Sequence, residues 1–95
     1  LSAEYLAIFQ TGVLYQLIHA LALFGVALLA AQVPGRLVNY AGIAFTLGIV
    51  LFSGSLYMLT LTSVGKLGII TPFGGLCFLV GWAFLGITAW RLGGV

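Results

Sequence analysis

The sequence predicts an all-α fold, a polytopic transmembrane bundle of three helices, and three observations carry that prediction. Of its 95 residues, 63% are hydrophobic and only 4% are charged, with a mean hydropathy of +1.31, far from the roughly quarter-charged, half-apolar mix of soluble domains. The four charged side chains, Glu4, Arg36, Lys66 and Arg91, divide the chain into apolar stretches of 31, 29 and 24 residues. Each charge also stands beside turn-forming or terminal sequence. Such a chain has no means of clothing itself in charge, and its aromatic and glycine content does not fit the low-hydrophobicity, high-charge composition of disorder. At about 20 residues per spanning helix plus short connections, residues 1–95 hold three crossings as a single transmembrane domain.

The first helix is expected over residues 2–31, with Ser2 as N-cap and Glu4 in the positive first turn of the helix dipole. A stretch of that length reaches roughly 40 Å against a hydrocarbon core of about 30 Å. The crossing is therefore assigned to residues 11–31, and the residues before Thr11 to the interface or to strong tilt. Gln32, Val33, Pro34, Gly35 and Arg36 make the first turn. The second helix follows over residues 37–61, and residues 62–68 form a second short connection, so consecutive helices are antiparallel neighbours. The third helix, residues 71–90, opens with Thr71 as N-cap and Pro72 at the first helical position, where a missing N–H is no loss. It ends at Trp90, before Arg91 and the Gly93, Gly94 tail. Three crossings put Arg36 and Arg91 on one side and Glu4 and Lys66 on the other, so the positive-inside rule assigns the arginine side to the cytoplasm or matrix. Tyr40 and Trp90 on that side, with Tyr5 and Tyr57 on the other, suit aromatic belts. The amino end has an acid and no basic n-region, unlike a cleavable signal.

At 100° per residue, Ala41, Ala44, Gly48 and Ser55 share one narrow face of the second helix. Gly74, Cys77, Gly81 and Thr88 repeat the same spacing on the third. Small residues permit close approach in lipid, where burial from water no longer drives association, so these two faces are expected to meet. Cys77, the single cysteine, is read as a small packing residue rather than a reactive thiol. Asn39, Thr46, Ser53 and Thr60 recur every seven residues on the opposite side of the second helix, a polar stripe that lipid would leave unsatisfied. That helix is therefore expected to lie between the other two. An offset of 33 residues aligns Gly42 with Gly75, Phe45 with Phe78 and Gly48 with Gly81, too sparse a match in glycine-rich sequence to read as a repeat.

The sharpest chemical feature lies on the first helix, where Gly12, Gln16 and His19 share an arc with Tyr15 beside them. Tyr15, Gln16 and His19, together with Thr46 and Ser53 from the polar stripe, form the candidate intramembrane cluster. An ionisable residue inside a span is a functional hypothesis by default. Three readings stay open for His19: a neutral interhelical hydrogen-bond partner, a cofactor or metal ligand, or a proton relay. Catalytic constellations are missing, since the one carboxylate, Glu4, and the one histidine stand roughly 22 Å apart along a helix. There is no zinc-type Cys/His spacing, no phosphate loop and no basic patch for nucleic acid. No cofactor and no metal are assigned; the partners expected are the lipid bilayer and a second copy or another membrane protein.

Read in order, Thr11 Gly12 Val13, Tyr15 Gln16, His19 Ala20 Leu21 Ala22 Leu23, then Leu51 Phe52 Ser53 Gly54 Ser55 Leu56 Tyr57, then Ile70 Thr71 Pro72, Gly74 Gly75 and Gly81 Trp82 form three separated motifs over nearly the whole chain. They resemble the YgdD-like family of small inner-membrane proteins, a family of unknown function with bacterial members and small eukaryotic relatives linked to mitochondria. The resemblance implies a bacterial inner membrane, or a mitochondrial one in a eukaryote. It also implies a four-helix fold whose last three helices are these, preceded by a helix and a Gly-Ala-Phe-Gly-Ala-His-Gly-like segment that this sequence does not contain. It marks Gly12, Tyr15, Gln16, His19, Ser53, Gly54, Ser55, Thr71, Pro72 and Gly74 as motif positions and gives none of them a chemistry. Function is thus expected to be that of a non-enzymatic structural or accessory bundle. The alternatives are an electron-transfer module with His19 as a haem ligand, and a proton or small-solute conduit centred on Gln16 and His19.

Overall fold

In the computed structural model, which describes residues 2–33 and 35–92, every element is helical. Pro34 of the expected first turn and the Gly93, Gly94 tail lie outside the described residues. The first helix, α1 (Ala3–Gln32), is capped by Ser2, whose Oγ accepts the Tyr5 N–H at 3.1 Å while its carbonyl accepts the Leu6 N–H at 2.8 Å. Nothing interrupts α1 at Thr11. At 1.5 Å per residue it extends about 45 Å, enough to reach from one headgroup layer to the other. It stops where Val33 turns extended, and the chain reverses through Gly35, whose φ of 146° is open to glycine and strained for other residues.

The second helix, α2 (Arg36–Thr62), is continuous but not uniformly α-helical. Between Arg36–Gly48 and Gly54–Thr62 lies a π-helical turn, Ile49–Ser53, in which the Gly54 N–H reaches back five residues to the Ile49 carbonyl. The extra residue in that turn shifts the helical register relative to an unbroken α-helix. The heptad stripe expected from the sequence is unevenly buried: Asn39 and Thr46, upstream, are exposed in a groove beside α1, whereas Ser53 and Thr60, downstream, are buried.

Ser63 ends α2 in the left-handed region, its N–H on the Leu59 carbonyl, and a 3-10 segment, Gly65–Ile69, carries Lys66 around the turn. In the third helix, α3 (Thr71–Leu92), the first N–H groups bond to Ile70, from Phe73 at 3.1 Å and Gly74 at 3.3 Å. Thr71 is thus inside the helix and not its cap. Its hydroxyl instead meets Ser55 Oγ of α2 at 2.6 Å, and Pro72 still sits in the first turn, where its missing N–H donor breaks no intrahelical bond.

The bundle is 50 Å long and 19 by 18 Å across, and its three helices are each long and apolar enough to span a membrane. Both α1 and α3 pack on α2, with α3 following it for most of its length. The expected faces of α2 and α3 do meet, but small residues do not face small residues. Phe45 packs against Gly81, Phe78 against Gly48, and the backbone of Phe52 against Gly74. Every step forward along α2 is matched by an equal step back along α3, and the Ser55–Thr71 hydroxyl pair continues the series. Two Phe-x-x-Gly segments, Phe45 to Gly48 and Phe78 to Gly81, thus interlock antiparallel, each ring filling the other's glycine notch. Ala41 and Ala44 are buried on the same side of α2, Cys77 is half-buried, and Thr88 is buried with its hydroxyl on the Phe84 carbonyl at 2.9 Å. Val26, Val38, Ala41, Phe45 and Phe78 form the core, whereas large side chains such as Leu21 and Phe24 point outward, as lipid allows.

Candidate functional site

The polar face of α1 is where the three helices are tied together. Gly12, Gln16 and His19 follow one another at spacings of four and three, so they share the side of α1 that looks into the bundle. At Gly12 the missing side chain leaves a notch in which a Cβ would lie 3.0 Å from the Tyr57 ring. Ser53, fully buried, donates its hydroxyl to the Gly12 carbonyl at 2.7 Å. One turn on, Tyr57 OH donates to Gln16 Oε1, and the Tyr57 ring packs on Phe9 with centroids 5.0 Å apart.

His19 lies deeper, with 4% of its surface exposed. Its Nδ1 is 2.8 Å from the Tyr15 carbonyl one turn back, and its Nε2 is 3.1 Å from the Trp82 indole nitrogen of α3. A carbonyl only accepts and an indole N–H only donates, which assigns the proton to Nδ1 and the lone pair to Nε2. The imidazole also stacks on Phe78, centroids 3.6 Å apart and planes within 11°, with Phe45 at 5.5 Å and Trp82 at 5.8 Å. Phe45 and Trp82 meet edge-on at 4.9 Å, and Tyr15 leans on Phe52 at 4.6 Å. His19 is therefore a polar ring in an aromatic cage, with both nitrogens satisfied by protein.

Of the residues singled out from the sequence, Gly12, Gln16 and Ser53 come together at the α1–α2 seam, and Tyr15 supplies its carbonyl to His19. Ser53 does not bond to His19, and Thr46 takes no part. Thr46 bonds to its own helix at the Gly42 carbonyl, 2.8 Å, and lines an open groove of about 530 Å³ between α1 and α2 with Asn39. Sequence reasoning passed over Trp82, Phe78 and Phe45 as partners of His19, and placed Tyr57 in an aromatic belt. The available signal was the pair Phe78, Trp82 at a spacing of four beside Gly81, which sets two rings and one donor on one side of α3. Among the described residues no group of three His, Cys, Asp or Glu side chains is arranged to hold a metal. Axial ligation of a haem by His19 would require Nε2 to release Trp82.

A family of proteins of unknown function, DUF423, matches residues 1–75. The chain belongs to the DUF423 family. It is 47% identical over 87 residues to the UPF0382 membrane protein YwdK of Bacillus subtilis, an alignment covering 90% of this chain and 71% of that protein. It is 40% identical over 92 residues to the UPF0382 membrane protein SSP2132 of Staphylococcus saprophyticus, covering 97% and 76%. The UPF0382 inner membrane protein YgdD of Escherichia coli K12 is 41% identical over 83 residues, 87% of this chain and 63% of that protein, in agreement with the resemblance read from the motifs. No solved structure matches the chain. This DUF423 chain is accordingly a helical membrane protein, and seven of the ten motif positions that the resemblance marks join its helices. Gly12, Gln16, His19, Ser53, Ser55, Thr71 and Gly74 each make or permit an interhelical contact. Gly54 closes the π turn.

Proposed function

We propose that this chain is a non-enzymatic helical bundle, a structural or accessory subunit of a bacterial inner membrane, with the Arg36 and Arg91 end in the cytoplasm. The observation that carries the reading is the double engagement of His19. A ligand or relay histidine needs one nitrogen free for its metal, its proton or its water, whereas here Nδ1 is held by Tyr15 and Nε2 by Trp82. Ser53, Ser55, Thr71, Gln16 and Tyr57 are likewise paired within the bundle. The polar groups act as ties between helices, the use to which lipid-embedded hydroxyl, amide and imidazole groups are commonly put. What they hold rigid is a scaffold with long apolar faces for lipid, a second copy or another membrane protein.

Solubilisation of native membranes in a mild detergent, with crosslinking beforehand, tests the reading. The expected result is a discrete complex, either an oligomer or a stoichiometric assembly with another membrane protein. A chain that runs alone under every condition, or a purified protein with a Soret band or stoichiometric metal, refutes it. Sidedness is read separately, in a Cys77→Ala background, by labelling Lys66→Cys and Arg91→Cys with a membrane-impermeant maleimide on spheroplasts. The Lys66→Cys variant is expected to label and the Arg91→Cys variant to be protected.

A further inference from the structure

At the end of the bundle where α1 hands over to α2, a cavity of about 190 Å³ is lined by Arg36 and Arg91. They are two of the chain's three basic side chains. Val33, Leu37 and Val38 supply apolar wall, and Gly35 leaves the entry to α2 without a side-chain cap. The only acidic side chain in the sequence, Glu4, is in the first turn of α1, roughly 40 Å away along that helix. Both arginines therefore line one pocket, and the only carboxylate side chain in the sequence stands at the other end of α1. Thr88 also lines the pocket, but its proton is committed to the Phe84 carbonyl, so hydrogen bonds to a ligand must come from the arginines and from the uncapped first N–H groups of α2.

Helical register places an apolar groove on the same sides of α2 and α3 as the two arginines. Arg36, Tyr40, Ile43 and Leu47 share one side of α2, and Arg91 and Phe84, seven apart, share one side of α3. Tyr40, Ile43, Leu47, Val80 and Phe84 line an apolar groove of about 460 Å³ between the two helices. A pocket lined by two arginines at one end of the bundle, with an apolar groove further along the same sides of the two helices, suits the charge and shape of an anionic glycerophospholipid. We propose that Arg36 and Arg91 together bind the phosphodiester of one such lipid, whose acyl chain lies in the α2–α3 groove. Arginine suits the role because its planar fork pairs with two phosphate oxygens at once, and basic pockets between spanning helices are a recognised setting for anionic headgroups.

The test is native mass spectrometry and thermal melting of the protein in an uncharged detergent, with phosphatidylglycerol, phosphatidylcholine or inorganic phosphate added. The expected result is one retained phosphatidylglycerol in preference to phosphatidylcholine, and a higher melting temperature with it. Arg36→Gln and Arg91→Gln are each expected to lower that preference about fivefold, the effect of one basic side chain at an anionic surface. Arg36→Lys, which keeps the charge and loses the fork, should fall between, and Lys66→Gln at the opposite end should leave the preference unchanged. Equal retention of the two lipids overturns the proposal, as does a preference that survives loss of both arginines or falls equally with Lys66→Gln. A melting shift reproduced in full by inorganic phosphate, with nothing added by the lipid, overturns the lipid assignment.

Discussion

At Gly74 the backbone of α2 stands where a side chain of α3 would lie, and replacing this glycine by alanine is a direct test of the packing. A Cβ at that position lies 2.7 Å from the Phe52 Cα and equally close to its Cβ, whereas carbon atoms prefer roughly 3.5–4.0 Å. The obstructing atoms are those of the backbone and its first side-chain carbon, so no rotamer change relieves them, and α2 and α3 must part locally by about 1 Å. Overpacking of this kind costs about 1–3 kcal/mol. The separation also stretches the Ser55–Thr71 bond at 2.6 Å, one turn away, a contact worth roughly 0.6 kcal/mol in a bilayer and at most about 1.7. Against these losses stands the helix-propensity gain of glycine to alanine, up to about 1 kcal/mol, so Gly74→Ala is expected to lose about 1–3 kcal/mol net. Gly86, on the same helix, has nothing within 4 Å of a built Cβ, and Gly86→Ala should keep the propensity gain and be neutral or stabilising. Reversible unfolding in bicelles, or melting in detergent followed by tryptophan fluorescence, reads both. A Gly74→Ala protein as stable as Gly86→Ala would refute the close approach of α2 and α3.

The remaining predictions follow from the same contacts. A double-mutant cycle on His19→Phe and Trp82→Phe should give a coupling of about 0.6 kcal/mol and no more than about 1.7; zero coupling removes the His19–Trp82 bond from the account. Ser53→Ala should destabilise by about 1 kcal/mol, through its lost bond to Gly12, while Thr46→Val changes stability by less than about 0.5 kcal/mol. Equal effects at the two positions would mean that the buried Ser53–Gly12 bond does not hold α1 to α2. Tyr57→Phe should cost roughly 0.6 kcal/mol on its own and lower the melting temperature little further in a Gln16→Leu background, where the bond is already lost; a full additional penalty there would show that the two side chains do not pair.

How much of this was legible in the sequence depends on whether a feature is set by one helix or by two. Three crossings followed from composition and four charges, because the hydrocarbon core imposes a length on any apolar run. The stripe of Ala41, Ala44 and Gly48 could be placed because the α period holds from Arg36 to Gly48. Past that point the period fails. Nothing as plain as a proline marks the π turn at Ile49–Ser53, and helical spacing alone does not tell that Ser53 and Thr60 are buried while Asn39 and Thr46 stay open in the groove beside α1. Partner choice was harder still. Helical spacing paired His19 with Gln16 and Tyr15 of its own helix or with Ser53 and Thr46 of α2; Tyr15 supplies only its carbonyl, and the side-chain partner is an indole, whose single N–H is hidden in a residue read as aromatic. The 33-residue match of Phe45 with Phe78 and Gly48 with Gly81 shows the limit most clearly. Read along the chain it was three coincidences, because similarity at a fixed offset is what a repeat looks like. Its meaning lies in the opposite direction, since two Phe-x-x-Gly segments complement each other only when antiparallel, ring into notch. Whether helices meet in that way or with small residue on small residue is decided by their separation, a property of the pair that neither helix carries in its own sequence.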